Sequence, residues 1–168
     1  MDTNAGFCGD RQPSTSYSTL NCSGGTGTTG TFYGVYIRLV TNKAPVLTCA
    51  NSSDLYTTSS SNKGNKALTY PVGLITADEI AYAGGVYGEA NTSYYLYTGQ
   101  SYWSLSPYYF PLYGEKYATE FYVNSTGILS HSGIDKKGGV RPVINLKTGT
   151  LFKTGTTGTS SNPYEVVM

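Results

Sequence analysis

One stretch of this chain is written as a helix from start to stop, and it is short. Thr76-Ala77-Asp78-Glu79 has the spacing of a capping box. In that motif the Thr76 hydroxyl accepts from the Glu79 amide, and the Glu79 carboxylate reaches back to the Thr76 amide. Ala77, Ile80 and Ala81 then give a small apolar face, and Gly84-Gly85 supplies the stop. Asp78 and Glu79 sit in the first turn, where negative charge meets the helix dipole, so they read as structural rather than as a catalytic pair. No other segment carries comparable helix punctuation. The remainder must be strands and loops.

The apolar, β-branched run Phe32-Tyr33-Gly34-Val35-Tyr36-Ile37-Arg38-Leu39-Val40 reads as a first long strand. Residues 68–75 read as a short, interrupted strand in which Pro71 marks an edge or bulge. Further short strands are expected at 94–97, 102–105, 119–123, 128–130 and 139–146. Asn124-Ser125-Thr126-Gly127 makes the hairpin turn after the strand at 119–123. The tail reads as two short strands around a Gly/Thr loop at 155–161. Residues 12–31 and 50–66 are polar and aperiodic, and nothing recurs at a fixed period. At 168 residues the chain is expected to form one domain, residues 1–168, with few helices, many short antiparallel strands and long loops. That is an α+β architecture.

Only 12% of residues are charged and the formal net charge is +1, without a basic stripe, so nucleic acid is a poor partner. Abundant Thr, Ser, Asn and Gly in place of charge suits an extracellular, β-rich protein. No apolar run approaches a membrane span, so direct membrane insertion is not expected. Met1-Asp2-Thr3-Asn4 lacks the makeup of a signal peptide, and a polar start directly after Met reads as an engineered truncation. A native export or anchoring segment is therefore expected ahead of it. Three cysteines allow one disulfide and leave one thiol over. Cys8–Cys49 is the favoured pair, tying the N-terminal arm to the loop after the first long strand, with Cys22 left over. Three free thiols in a cytosolic protein is the alternative. One histidine and three dispersed cysteines lack paired ligand spacing, so no metal and no cofactor is expected.

Nine of the seventeen tyrosines fall between Tyr94 and Tyr122, in a window rich in Ser and Gly. Rigid amphipathic rings with small polar neighbours are the makeup of a recognition surface, since they bind at low entropic cost. Two apolar strings bracket the variable part of the window, Tyr102-Trp103-Ser104-Leu105-Ser106-Pro107 and Gly139-Val140-Arg141-Pro142-Val143-Ile144. Trp103 is assigned to scaffold packing and Arg141 to a buried, hydrogen-bonded structural role. His131 sits in Ser-His-Ser-Gly with no orienting carboxylate or motif nucleophile, so no catalytic residue is assigned.

The two strings, with a polar stretch and a hairpin between them, resemble the C-terminal half of bacterial C-type-lectin-like domains. Formylglycine-generating-enzyme-like proteins and the variable proteins of diversity-generating retroelements carry similar strings. The strings at 70–85, 94–107 and 139–147, with Phe7-Cys8-Gly9-Asp10-Arg11 and Asn162-Pro163-Tyr164-Glu165-Val166, are also similar to secreted, prepilin-linked proteins of gut Firmicutes. The resemblance implies a C-type-lectin-like scaffold whose ligand face is built by late loops. In diversified members, substitutions concentrate in the interval that here holds residues 107–116 and 130–137, and adenine-directed mutagenesis of Asn codons would produce the residue types found there. Neither the clustered oxygen ligands of a calcium-dependent lectin nor the late cysteine pair of a formylglycine-generating enzyme is present.

The implied function is non-enzymatic recognition or adhesion at a bacterial cell surface. The contact candidates are Tyr108, Tyr109, Tyr113, Glu115, Lys116, Tyr117, His131, Asp135, Lys136 and Lys137, and the ligand is a protein or glycan on another cell or a phage. A monomer is expected in isolation. The alternative is a pilin-like subunit whose tyrosine loops pack against neighbours in a surface fibre.

Overall fold

The computed structural model describes residues 1–3, 5–14, 30–61, 64–65, 67–110, 118–159 and 161–167. In chain order the strands are β1 (Phe7–Cys8), β2 (Thr31–Phe32), β3 (Leu55–Tyr56), β4 (Ser60–Ser61), β5 (Gly64–Asn65) and β6 (Gly73–Leu74). They continue with β7 (Val86–Tyr87), β8 (Tyr102–Phe110), β9 (Thr119–Val123), β10 (Ile128–Gly133) and β11 (Pro142–Val143). Two α-helices, α1 (Gly34–Tyr36) and α2 (Ala77–Tyr82), stand among them, so the α+β expectation holds at that level. The central sheet has the order β2-β8-β9-β10-β7, antiparallel except for the parallel pair β10–β7. Three two-stranded sheets, β1-β3, β11-β6 and β4-β5, flank it.

β8 alternates with period two, and Tyr102, Ser104, Ser106 and Tyr108 are its buried phase. Together with Phe121 and Val123 of β9 and Leu129 of β10 they form the inner face of the sheet. Phe32, Val35 and Leu39, together with Ala77 and Ile80 of α2, belong to the same core cluster. The buried serines are partnered: Ser104 Oγ donates to the Phe121 carbonyl at 2.9 Å, and Ser106 Oγ accepts from the Ala77 amide at 2.9 Å. Both contacts fasten the sheet, the second directly to the start of α2.

The helix follows its sequence punctuation. Thr76 Oγ1 accepts from the Glu79 amide, and Glu79 Oε2 accepts from the Thr76 amide at 2.8 Å, completing a cap of the kind worth about 1 kcal/mol. At the other end Gly84 takes a φ of +111°, the Gly84 amide donates to Ala81 and the Gly85 amide to Ile80, a Schellman closure. The 124–127 turn also forms, with Gly127 at φ +79° and Asn124 Oδ1 accepting from the Thr126 and Ile128 amides.

Three expected strands are corrected. The run at 32–40 is strand only at Phe32, the end of β2, with a bridge from Tyr33 to Pro13, and then winds through α1 into a π-helical turn, Ile37–Thr41. Burial of Phe32, Val35 and Leu39 at spacings of three and four prevails over β-branched content, and Arg38 is thereby turned toward two carboxylates. Residues 94–97 form a turn, closed by the Tyr97 amide donating to Tyr94. The 139–146 run pairs as a strand only at Pro142–Val143, with Leu74 and Gly73. In contrast β8 is longer than expected, because it carries on through Pro107 by shifting register on both sides of a residue without an N–H.

A charged network joins the N-terminal arm to this core. Arg38 Nε donates to Asp78 Oδ1 at 3.0 Å and Arg38 Nη2 to Asp10 Oδ1 at 2.8 Å. Ser106 Oγ donates to Asp10 Oδ2 at 2.7 Å, and the Val46 amide donates to Asp78 Oδ1 at 2.8 Å. Asp78, read as structural from its helix position, is 1% exposed and serves as the anchor of that network. The arm is further held by Arg11 to Asp54 at 2.8 Å and by the Cys8–Cys49 disulfide, the pair favoured from sequence. Cys22 lies outside the described residues.

Candidate functional site

Burial divides the expected contact residues. Tyr108 is 9% exposed, so its surface assignment is corrected: it points into the core with its ring 5.0 Å edge-on from Phe121. Tyr109 is half-buried, lying 4.5 Å from the Phe32 ring as that residue's cross-strand partner. Both placements have one cause. The extension of β8 past Pro107 puts these rings on a strand, where a loop was expected.

The structure brings Tyr108 together with His131. Their rings stack with centroids 3.9 Å apart and planes 7° from parallel, and His131 is exposed on its strand. Tyr87, which sequence reasoning missed, completes the group. Its hydroxyl lies 3.0 Å from both the Tyr108 hydroxyl and His131 Nδ1. Tyr87 arrives through the parallel pairing of β7 with β10, in which Leu129 faces Tyr87. No local pattern in the sequence announces that pairing.

Asp135, Lys136 and Lys137 are exposed and consecutive, and the segment that carries them is anchored at both ends. At the start the Ile134 amide donates to the Ala118 carbonyl, which continues the β9–β10 ladder. At the finish the Gly139 amide donates to Ser101, and the Trp103 amide donates to Gly139. Residues 134–139 therefore form a strap that returns from the end of β10 to the start of β8. Gly138 lies on the Trp103 ring, where a Cβ would come within 2.5 Å of Nε1. Trp103 is thus a seat for the strap on the outer face of the sheet, half-buried beside Tyr122 at 5.7 Å. One residue of phase decides this, since Tyr102 holds the inward position. Arg141 was expected to be buried and hydrogen-bonded. It is half-buried, donates to Leu96 O and to Thr98 Oγ1, and lies 4.0 Å over the Tyr102 ring.

Glu120 faces the same outer side as Tyr122, between Pro107 and Ser132 in the register. Burial raises its carboxyl from 4.5 to about 7. A carboxyl raised in the folded state favours folding while it is protonated, and that contribution is lost as pH rises from about 4.5 through about 7. Asp10, also raised by burial, adds the same sign. Glu120→Gln is expected to match the parent in urea melts at pH 4. At pH 8 it should be more stable by on the order of 2 kcal/mol, a figure already reduced for partial solvent screening. Equal stabilities of parent and variant at pH 8 would contradict the buried carboxyl.

Tyr113, Glu115, Lys116 and Tyr117 lie outside the described residues, in the β8–β9 connection. That connection ends beside the strap, through the Ala118–Ile134 contact. Among the described residues, no three His, Cys, Asp or Glu side chains are grouped to hold a metal ion, and no helix is long and apolar enough to cross a membrane. The carboxylates of Asp10 and Asp78 share Arg38. No protein-family model, curated protein or solved structure matches this chain.

Proposed function

We propose that the chain is a non-enzymatic recognition domain of C-type-lectin-like build. It works outside the bacterial cell or on its surface and holds a protein or glycan against the strap and the adjoining end of the central sheet. The observation that carries this reading is the strap itself. Its side chains at Asp135, Lys136 and Lys137 are exposed while its ends are pinned by backbone hydrogen bonds and by the Gly138–Trp103 contact. A surface loop ordered before it meets a ligand loses less conformational entropy on binding. Charges of both signs stand there, next to the Trp103–Tyr122 rings. Glu120, poised near neutrality, can donate to or accept from a hydroxyl, as a sugar or a tyrosine would require. The disulfide suits an oxidising compartment.

The test is a glycan and surface-protein array probed with this domain, followed by the triple variant Asp135→Ala, Lys136→Ala, Lys137→Ala. The variant is expected to lose capture while its stability stays within about 0.5 kcal/mol of the parent. Full capture by the variant would move the site elsewhere. Concentration-dependent self-association in light scattering, with no capture, would favour the fibre-subunit reading.

A further inference from the structure

A cavity of about 520 Å³ opens on a different part of the molecule and shares no residue with the strap. Its size falls in the range of small-molecule sites. Residues of α2 and its N-cap, the N-terminal arm and the segment from Val143 to Asn145 line it. Tyr82 and Tyr95, 70% and 76% exposed, are among its lining residues, as are Leu47 and Ile144. Four large apolar side chains left open around one hollow are a surface that a ligand would cover.

The charge of the lining is one-sided. Asp10 and Glu79 contribute carboxylates, and no Lys, Arg or His lines the cavity among the described residues. Asp10 is not neutralised by its partner, because the single guanidinium of Arg38 is shared with Asp78. One positive charge against two negative ones leaves the Arg38 network at −1 when both carboxyls are ionised, and Glu79 adds a second negative charge. The raised pKa of Asp10, led by desolvation, is what an under-compensated buried carboxylate shows. Tyrosine faces attract cations as well, through the ring quadrupole.

We propose that this cavity binds a small organic cation: an ammonium head met by the Asp10 and Glu79 carboxylates, on an apolar body covered by Tyr82, Tyr95, Leu47 and Ile144. Such a ligand compensates the excess negative charge and removes exposed apolar surface in one step. An anion is rejected by the same lining, and a neutral analogue recovers only the apolar part of the binding.

The test titrates ¹⁵N-labelled protein with three near-isosteric probes: tyramine, tyrosol and 4-hydroxyphenylacetate, whose side chains end in a cation, a neutral hydroxyl and an anion. The amides of Thr48, Cys49, Ile144 and Asn145 report on the cavity. Tyramine is expected to shift them saturably with a roughly millimolar Kd, tyrosol to bind about tenfold more weakly, and the carboxylate not to bind. Glu79→Gln keeps an oxygen for the capping box while removing the charge, and should weaken tyramine about fivefold without changing tyrosol. The proposal is overturned if tyrosol binds as well as tyramine, if tyramine leaves these amides unshifted, or if Glu79→Gln binds tyramine like the parent.

Discussion

Replacing Arg38 with methionine is expected to destabilise the domain by about 3–5 kcal/mol, the cost of leaving buried carboxylates without their counter-charge. Asp78 is 1% exposed and Asp10 is also largely sequestered, so neither can turn to water without opening the interface between the π-helical turn, α2 and β8. Adding Asp78→Asn to Arg38→Met should recover part of the loss, because it removes one of the two stranded charges. Urea melts of the parent, the single and the double variant measure both quantities. A single variant within 1 kcal/mol of the parent would show that the network contributes packing and not charge compensation. The stability lost by the single variant should also be smaller at low pH, where Asp10, its carboxyl raised by burial, takes up a proton.

The second large effect concerns the disulfide. Cys8 and Cys49 are separated by 41 positions, and closing a loop of that size restricts the unfolded chain by about 4 kcal/mol. Replacing both cysteines with serine is expected to destabilise the domain by about that amount. The first region to open should be the arm that β1 makes with β3, where Phe7 faces Tyr56. Hydrogen exchange at Phe7, Cys8 and Tyr56 would detect that opening below the global transition. Non-reducing peptide mapping that pairs Cys22 with Cys8 or Cys49 would contradict the connectivity.

Features encoded within a few residues were legible in advance. The capping box at Thr76 and Glu79, the glycine stop at Gly84 and the Asn124–Gly127 turn each form from contacts within a handful of positions. Neighbours in sequence are enough to specify them, since caps and turns satisfy backbone groups locally. The strands at 119–123 and 128–130 were legible for a related reason, because the turn between them sets their register.

Which side of an element faces inward is not encoded locally. In Tyr102-Trp103 both rings suit a core, and the tertiary structure buries Tyr102 while Trp103 seats the strap. The same ambiguity affected Tyr108, whose ring is amphipathic enough for a binding loop or a core and whose place was settled by the length of β8. The run at 32–40 shows the limit most plainly: its composition is that of a strand, yet Val35, Leu39 and Arg38 have partners only on a helix, and two of those partners are Asp10 and Asp78.

By itself, then, the sequence determined the α+β class, the one well-capped helix and the hairpin turn, and it favoured the cysteine pair. Each depends on local hydrogen bonding or on a short list of chemical possibilities. Only the tertiary structure decided which tyrosines are core and which are surface, that Tyr87 meets His131, and that Asp10 shares one arginine with Asp78. Those outcomes rest on contacts between residues far apart in the chain, where side-chain amphipathicity permits either answer and the packing of the whole domain selects one.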